Sequence, residues 1–556
     1  MKASQVVWIL LLALVGNGCK EKSAPSITVT RARAEKGDAA SQYNLARRYA
    51  TGDGIVTNQA EALKWTRQAA DQNYPPAQYS LGWCYANGMG VATNSTEAVT
   101  WYRRAAERNY ALAQYILGCC YATGTGLDQD DREAVKWWQK AAKQKDALAQ
   151  YCLGHSYATG QGVAKDQREA VNWMRKAAEQ NYAEAQYVLG WFYAYGRGVV
   201  TNGTEAAKWY RKAATQNHRD AQFRLAACLA CGYGVLTNKV EAASWYRKAA
   251  EQSHAQAQWT LGWCYANGWG VGWDDTEAFK WYGKAADQND PEAQYALGKC
   301  YADGRGVAKD QAEAAIWYHT AANQGYAEAQ ATLGWCYATG AGVAKDEDQA
   351  IDWLGRAAGQ NCLYAQYLLG WYYLDGNPEV RDRTKAIEWL SKAADQNYAA
   401  AQYSLGNCHF KGEGVATNYA TAARWYRKAA EQNLAEAQYR LGCCYANGWG
   451  VVKDEAEAVK WMLKAAMQGY AQAQFVASGW YVSREGKNID YVEAYKWRLL
   501  AAEQGHEAAK KGITILEDWM TQAQIAKGRE LARSFKLEPL PPKRGSLAAA
   551  SVQPPP

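Results

Sequence analysis

The amino-acid sequence predicts an all-α protein, an α/α solenoid of about thirteen helix-turn-helix repeats of 36 residues. Three observations predict it. Stepping by 36 from Trp65 lands on Trp101, Trp137 and so on to Trp497, thirteen tryptophans from thirteen positions. A paired alanine follows each, from Ala69-Ala70 to Ala501-Ala502. No insertion or gap breaks the register between Trp65 and Trp497. Self-similarity at a fixed period of this size means stacked supersecondary units, each touching only its neighbours, rather than separate globular domains.

The first helix of a unit shows as an apolar stripe, Ala77, Leu81, Tyr85 and Gly88, at helical spacing. Gly82 is small on the same helix and permits close approach of a neighbour. Gly88 suits the left-handed residue that ends a helix. A second glycine, Gly90, recurs in 12 of 13 units, with Pro378 the exception. The second helix begins at a column that is Asn or Asp throughout, from Asn58 to Asp490. Such side chains accept from the orphan amides of a first turn. Glu three residues later in ten units, and Gln349 in another, completes the pattern of a capping box. Lys385 and Thr421 depart from it. Ala98, Trp101 and Ala105 then share one face, and Arg103-Arg104 fall in the last turns, where cations suit the helix dipole. Trp set against Ala and Gly predicts large-into-small packing between units.

The order A-x-x-L-G-x-x-Y-x-x-G-x-G-V, an acid or amide cap, then A-x-x-W-Y-x-x-A-A resembles the Sel1-like repeat family, a relative of the tetratricopeptide repeats. The resemblance covers residues 31–510. It implies a right-handed α/α superhelix and an adaptor role in assembling protein complexes, often at bacterial envelopes.

The ends read differently. Lys2, the apolar run Val6–Val15 and Gly18 before Cys19 make residues 1–19 a signal peptide, too short in its apolar run to span a membrane. A small residue followed by cysteine resembles a bacterial lipoprotein cleavage site, with Cys19 lipidated. Plain secretion is the alternative, and either places the mature chain in the periplasm or outer envelope. Residues 20–30 read as a linker, with Ile27–Lys36 half a unit that caps the stack. Residues 511–537 read as C-terminal capping helices, with a capping box at Thr521 and Gln524. The Pro-, Ala- and Ser-rich stretch 538–556 reads as a disordered tail.

The residues offer little chemistry. The chain has Lys+Arg 62 against Asp+Glu 55, a net charge of +7 that is small for 556 residues. Basic pairs such as Arg175-Lys176 and Arg211-Lys212 interleave with acids, so they read as solvated helix faces, and no nucleic-acid partner is expected. Eight of the 14 cysteines, Cys84 to Cys444, share one column. Equivalent residues of successive units lie two helices apart, at ~8–10 Å per helix packing. A disulfide needs Cα atoms within ~7 Å. The column therefore reads as small buried apolar residues. The six histidines fall in four columns, with no H-E-x-x-H, no phosphate-binding glycine loop and no S-x-x-K. No catalytic residue, metal or cofactor is expected. A β-lactamase-like or penicillin-binding activity, known for some cousins, is the alternative, and a passive spacer is another.

What remains is the variable face of the first helix. One column carries Trp83, Trp191, Trp263, Trp335 and Trp371, varied by His155, Lys299 and Asn407. Another carries Tyr79, Tyr187 and Trp259. If the helices match those of tetratricopeptide repeats, both columns line the concave groove and hold a protein or peptide partner. For the Tyr79 column, packing between units is the competing reading.

Overall fold

The computed structural model describes residues 26–376, 381–483 and 489–535. Among them are 29 helices and no strand, most of them 13 residues long. The chain divides near Ala257 and Gln258 into two compact units. Within each, helices run in pairs, the first helix of a repeat packing on its second and the second on the first of the next. The fold is the all-α repeat solenoid that the 36-residue period predicts.

The turns form for the reasons the glycines suggest. Gly88 ends Pro75–Asn87 with φ 70, a left-handed position. A Cβ at Gly126 would sit 2.3 Å from the Ser95 carbonyl, so the second turn glycine lets the loop rest on the preceding repeat. Gly82 is as tight: an added Cβ would lie 2.8 Å from the Tyr102 ring and 2.9 Å from the Ala98 carbonyl. The second helix ends in a left-handed residue as well, Asn at Asn73, Asn109 and Asn181, a role to which Asn is suited.

The caps differ from expectation in one respect. Asn94 accepts from the Glu97 amide at 3.0 Å, as an N-cap should. Glu97 does not return the bond. The Asn94 N–H is already satisfied by the Tyr85 carbonyl at 2.9 Å, so the cap has no orphan donor to offer. Glu97 instead accepts from the Trp101 indole N–H at 3.2 Å. The same bond joins Glu61 to Trp65, Glu205 to Trp209 and Glu313 to Trp317. The reciprocal capping box forms at Thr521 and Gln524.

The core is repeated across unit boundaries. Trp137 is 8% exposed and packs with Ala105 and Ala106 of the preceding repeat and Leu117 of its own. Trp209 does the same with Ala177 and Ala178 of the preceding repeat and Leu189 of its own. Large thus meets small, as predicted. In most repeats the outer ring face carries a cation, with Lys140 Nζ 3.7 Å from the Trp137 ring centroid and Lys176 Nζ 3.8 Å from that of Trp173. The other member of the basic pair also binds the stack. Arg103 donates to the Tyr121 hydroxyl of the next repeat at 2.8 Å, and Arg175 to Tyr193 at 2.9 Å. The basic stripe is therefore part of the packing, not a merely solvated face.

A second polar device lies at the same joints. Gln114 is 2% exposed and donates to the Ala106 carbonyl at 3.0 Å, while Gln144 donates to Gln114 Oε1 at 2.7 Å. Gln150 with Gln180, Gln294 with Gln324 and Gln402 with Gln432 repeat it. These amides satisfy the last carbonyls of the preceding second helix, which would otherwise be buried without a partner.

The ends need adjustment. The expected linker 20–30 is helical from Ile27, because Ser26 caps a helix over Ile27–Glu35. The closing helices are Glu507–Glu517 and Gln522–Ser534, so capping begins at 507 rather than 511. Both pack on Tyr491–Glu503, and Phe535 lies edge-on to Trp497 at 5.3 Å. The expected signal peptide 1–19 with Cys19, the expected tail 538–556 and Pro378 lie outside the described residues.

Candidate functional site

Two tryptophan populations differ in exposure. Seven of the thirteen second-helix tryptophans are buried, Trp353 being 5% exposed, and the other six, Trp65 and Trp173 among them, are half-buried. Those of the first-helix column stay partly open. Trp83, Trp191, Trp263 and Trp335 are half-buried and Trp371 is 37% exposed. The reason is position. Leu81 and Cys84 on the same helix point into the repeat and are buried, and residue 83 stands off that stripe. Trp335 and Trp371, one repeat apart, have ring centroids 6.1 Å apart and tilted by 58°. Trp191 lies 5.1 Å from Tyr195 with Arg197 at 5.9 Å, and Trp263 lies 6.2 Å from Trp269. His155 and Lys299 of the same column are exposed. Asn407 accepts from the Tyr426 hydroxyl at 2.7 Å.

The Tyr79 column sits deeper. Tyr79 is 8% exposed, with its ring 5.7 Å from both Tyr102 and Tyr110. Burial pushes its phenol up to about 12. Trp259, also 8% exposed, packs with Tyr282 and Leu297. Tyr187 is half-buried and stacks on His218 at 4.8 Å. Tyr79 and Trp259 thus fill the seam between helices, and what they offer a ligand is shape rather than a free ring face. The core-or-groove alternative for this column falls on the core side at those two residues.

The eight cysteines of the shared column are all buried, and all 13 described cysteines are free thiols. Burial raises the Cys84 and Cys264 thiols to about 12 and Cys336 to about 11, which keeps them protonated and inert. Sequence reading missed one shared neighbourhood. Cys119 and Cys152 belong to different columns, yet both pack against the one buried cluster of Ala134, Trp138 and Leu153. The signal was two cysteines 33 residues apart on successive first helices, which only a structure aligns.

A family model described as Sel1 repeat matches thirteen consecutive stretches, from 39–74 through to 471–506. Among solved structures, the chain is similar to a protective antigen of uropathogenic Escherichia coli strains that displays an SLR fold. The identity is 32%, the match covers 92% of this chain and 94% of that one, and the TM-score is 0.51. It is also similar to a Sel1 repeat protein from Oxalobacter formigenes, at 31% identity over 59% of this chain and 92% of that one, with a TM-score of 0.43. No curated protein sequence matches the chain.

Proposed function

The chain belongs to the Sel1 repeat family, and from that premise we propose that it is a non-catalytic exported scaffold that holds a protein or peptide along the first-helix face of its repeats. Proteins of this family generally mediate protein–protein interaction. The observation that carries the finer reading is that none of the five first-helix tryptophans of this column is fully buried, Trp371 being 37% exposed, whereas seven of the thirteen second-helix tryptophans are. Tryptophan left accessible at one helix position in repeat after repeat supplies large contact area with little rotamer entropy to lose, which suits a binding anchor. His155, Lys299 and Asn407, interposed in the same column, vary the polarity from step to step and so give such a face selectivity. Export rests on residues 1–19.

The test is a peptide selected from a random displayed library on the full chain, with Kd measured by calorimetry. Trp335→Ala and Trp371→Ala together should raise Kd by at least ~10-fold, as hot-spot loss does. The melting temperature should move by only a few degrees. Unchanged Kd, or collapse of the fold with binding retained in the survivors, would overturn the reading. Nitrocefin turnover by the same preparation, above a heat-treated control, would favour the hydrolase instead. For location, Cys19→Ser should release the mature chain from the detergent phase or block its processing. An identical processed, water-soluble product from both forms would leave plain secretion.

A further inference from the structure

Each first helix begins behind one residue of a single column, and what stands there decides whether its first turn is capped by a side chain. Tyr74, Tyr110, Tyr182, Tyr326 and Tyr398 make no such bond. Asp146 and Asp290 accept from the Ala149 and Ala293 amides at 2.7 and 2.9 Å. At two consecutive repeats the residue is histidine. His218 Nδ1 accepts from the Ala221 amide at 3.3 Å, and His254 Nδ1 from the Ala257 amide at 3.2 Å. A ring nitrogen that accepts an N–H carries no proton, so both imidazoles are neutral with their proton on Nε2.

That second nitrogen reaches back. His218 Nε2 lies 2.9 Å from Glu184 Oε2, and His254 Nε2 lies 3.5 Å from Asp220 Oδ1, each acid on the first helix of the preceding repeat. The ring faces do the same, His218 stacking on Tyr187 at 4.8 Å and His254 on Phe223 at 4.7 Å. One side chain thus caps its own helix and clamps it to the first helix before. His506 repeats the stack and the cap with neutral Gln472 as the Nε2 partner, so the arrangement does not depend on a carboxylate.

A further proton can enter only at Nδ1. There it would meet the Ala221 or Ala257 N–H, donor against donor, at a helix N-terminus whose dipole disfavours a cation. Glu184 and Asp220 attract an imidazolium, but their side chains are 43% and 42% exposed, so the attraction is screened. Asp220 is also shared with Arg219, whose Nε is 3.5 Å away. Burial, helped by Arg219 and Arg224, holds His254 below the usual histidine range against the pull of Asp220. The last turns of the second helices present Lys212 and Lys248, which lie over the Trp209 and Trp245 rings, and the first turn of Ala255–Asn267 carries no charge. A histidine held low binds fewer protons folded than unfolded. Its contribution is complete above about pH 6.5 and is lost as the pH falls through the lower folded value.

We propose that His218 and His254 form an acid-released latch on the repeat 219–254. Neutral, they cap two successive first helices and clamp each to the one before. Protonated at Nδ1 by solvent, each ring gives up its cap and swings off its aromatic partner. The first turn of Arg219–Cys231 then frays, and the Tyr187 and Phe223 ring faces are uncovered.

The test is hydrogen exchange of the full chain, read by mass spectrometry at pH 7.5 and pH 5.0, with protection factors corrected for intrinsic exchange. Helix 219–231 should lose protection at pH 5.0 by at least ~5-fold, the worth of one N-cap. Helix 111–123, which starts behind uncapped Tyr110, should not change. His218→Asp with His254→Asp places at both positions the residue that caps at Asp146 and Asp290, and it should abolish the loss at pH 5.0. His218→Tyr with His254→Tyr should lower protection of 219–231 at pH 7.5 to the acid level of the wild type and leave it there. An equal change in helices 219–231 and 111–123 overturns the proposal, as does a loss that persists in the aspartate variant. Circular dichroism at pH 7.5 checks that the variants fold; if one does not, the comparison of the two helices in the wild type decides.

Discussion

Among the described residues, Gln78 is the one member of its ladder whose side-chain oxygen is buried without a donor. Its amide N–H reaches the Ala70 carbonyl at 3.2 Å, as in other repeats. The partner position, Gln144 to Gln114 or Gln180 to Gln150 elsewhere, is here Arg108. A buried acceptor left unpaired costs on the order of 1–3 kcal/mol, and a restored neutral bond returns ~0.5–1.5 kcal/mol. Arg108→Gln should therefore stabilise the first repeats by about that amount in urea unfolding, and no gain would show that the oxygen is hydrated. The two glutamine columns were present in the sequence as plainly as the tryptophans. They went unread because a glutamine at helical spacing looks like surface. What buries it is the carbonyl at the end of the preceding helix, which a linear pattern does not display. The partner-binding candidates divide likewise. Trp371 could be placed off the apolar stripe by counting, whereas the depth of Tyr79 depends on the rings of Tyr102 and Tyr110 from other helices.

At the scale of the helix pair, the tryptophan of the second helix is the joint between repeats. Trp137 is held at its indole face by Lys140 and buried on the alanines of the preceding repeat. Trp137→Ala should cost ~3–5 kcal/mol through lost burial and a residual cavity. The loss should appear as earlier unfolding of the repeats either side of it, read by hydrogen exchange. Exchange unchanged at Ala105–Leu117 would refute the stacking described. The start of this helix was legible in its Asn or Asp column. The job of its glutamate was not, since the capping pattern and the indole clamp ask for the same residue at the same place. Where Gln349 replaces that glutamate, the Trp353 indole N–H is buried without a partner. Gln349→Glu should supply it and raise stability by ~0.5–1.5 kcal/mol; a lower melting temperature would count against the clamp.

At the scale of the molecule, stability is a sum of repeats and of the interfaces between neighbours. The closing helices protect the last of them. Glu507–Glu517 and Gln522–Ser534 cover Ala494 and Tyr495, both fully buried. A chain ending at Gly505 should melt from its C-terminal end at a lower temperature and self-associate in light scattering, because that apolar face becomes exposed. A monomeric product of unchanged melting temperature would mean the closing helices are dispensable. Because Gln144 reaches back no further than Asn109 and Gln114, and Arg103 forward no further than Tyr121, most repeats within a unit meet their neighbours through the same fittings. Loss or gain of a whole repeat would rejoin like to like, leaving no torn bond at the scar. Recombination between gene segments that encode like repeats can thus lengthen or shorten such a chain without unfolding it, so its length is open to selection as a ruler is to cutting.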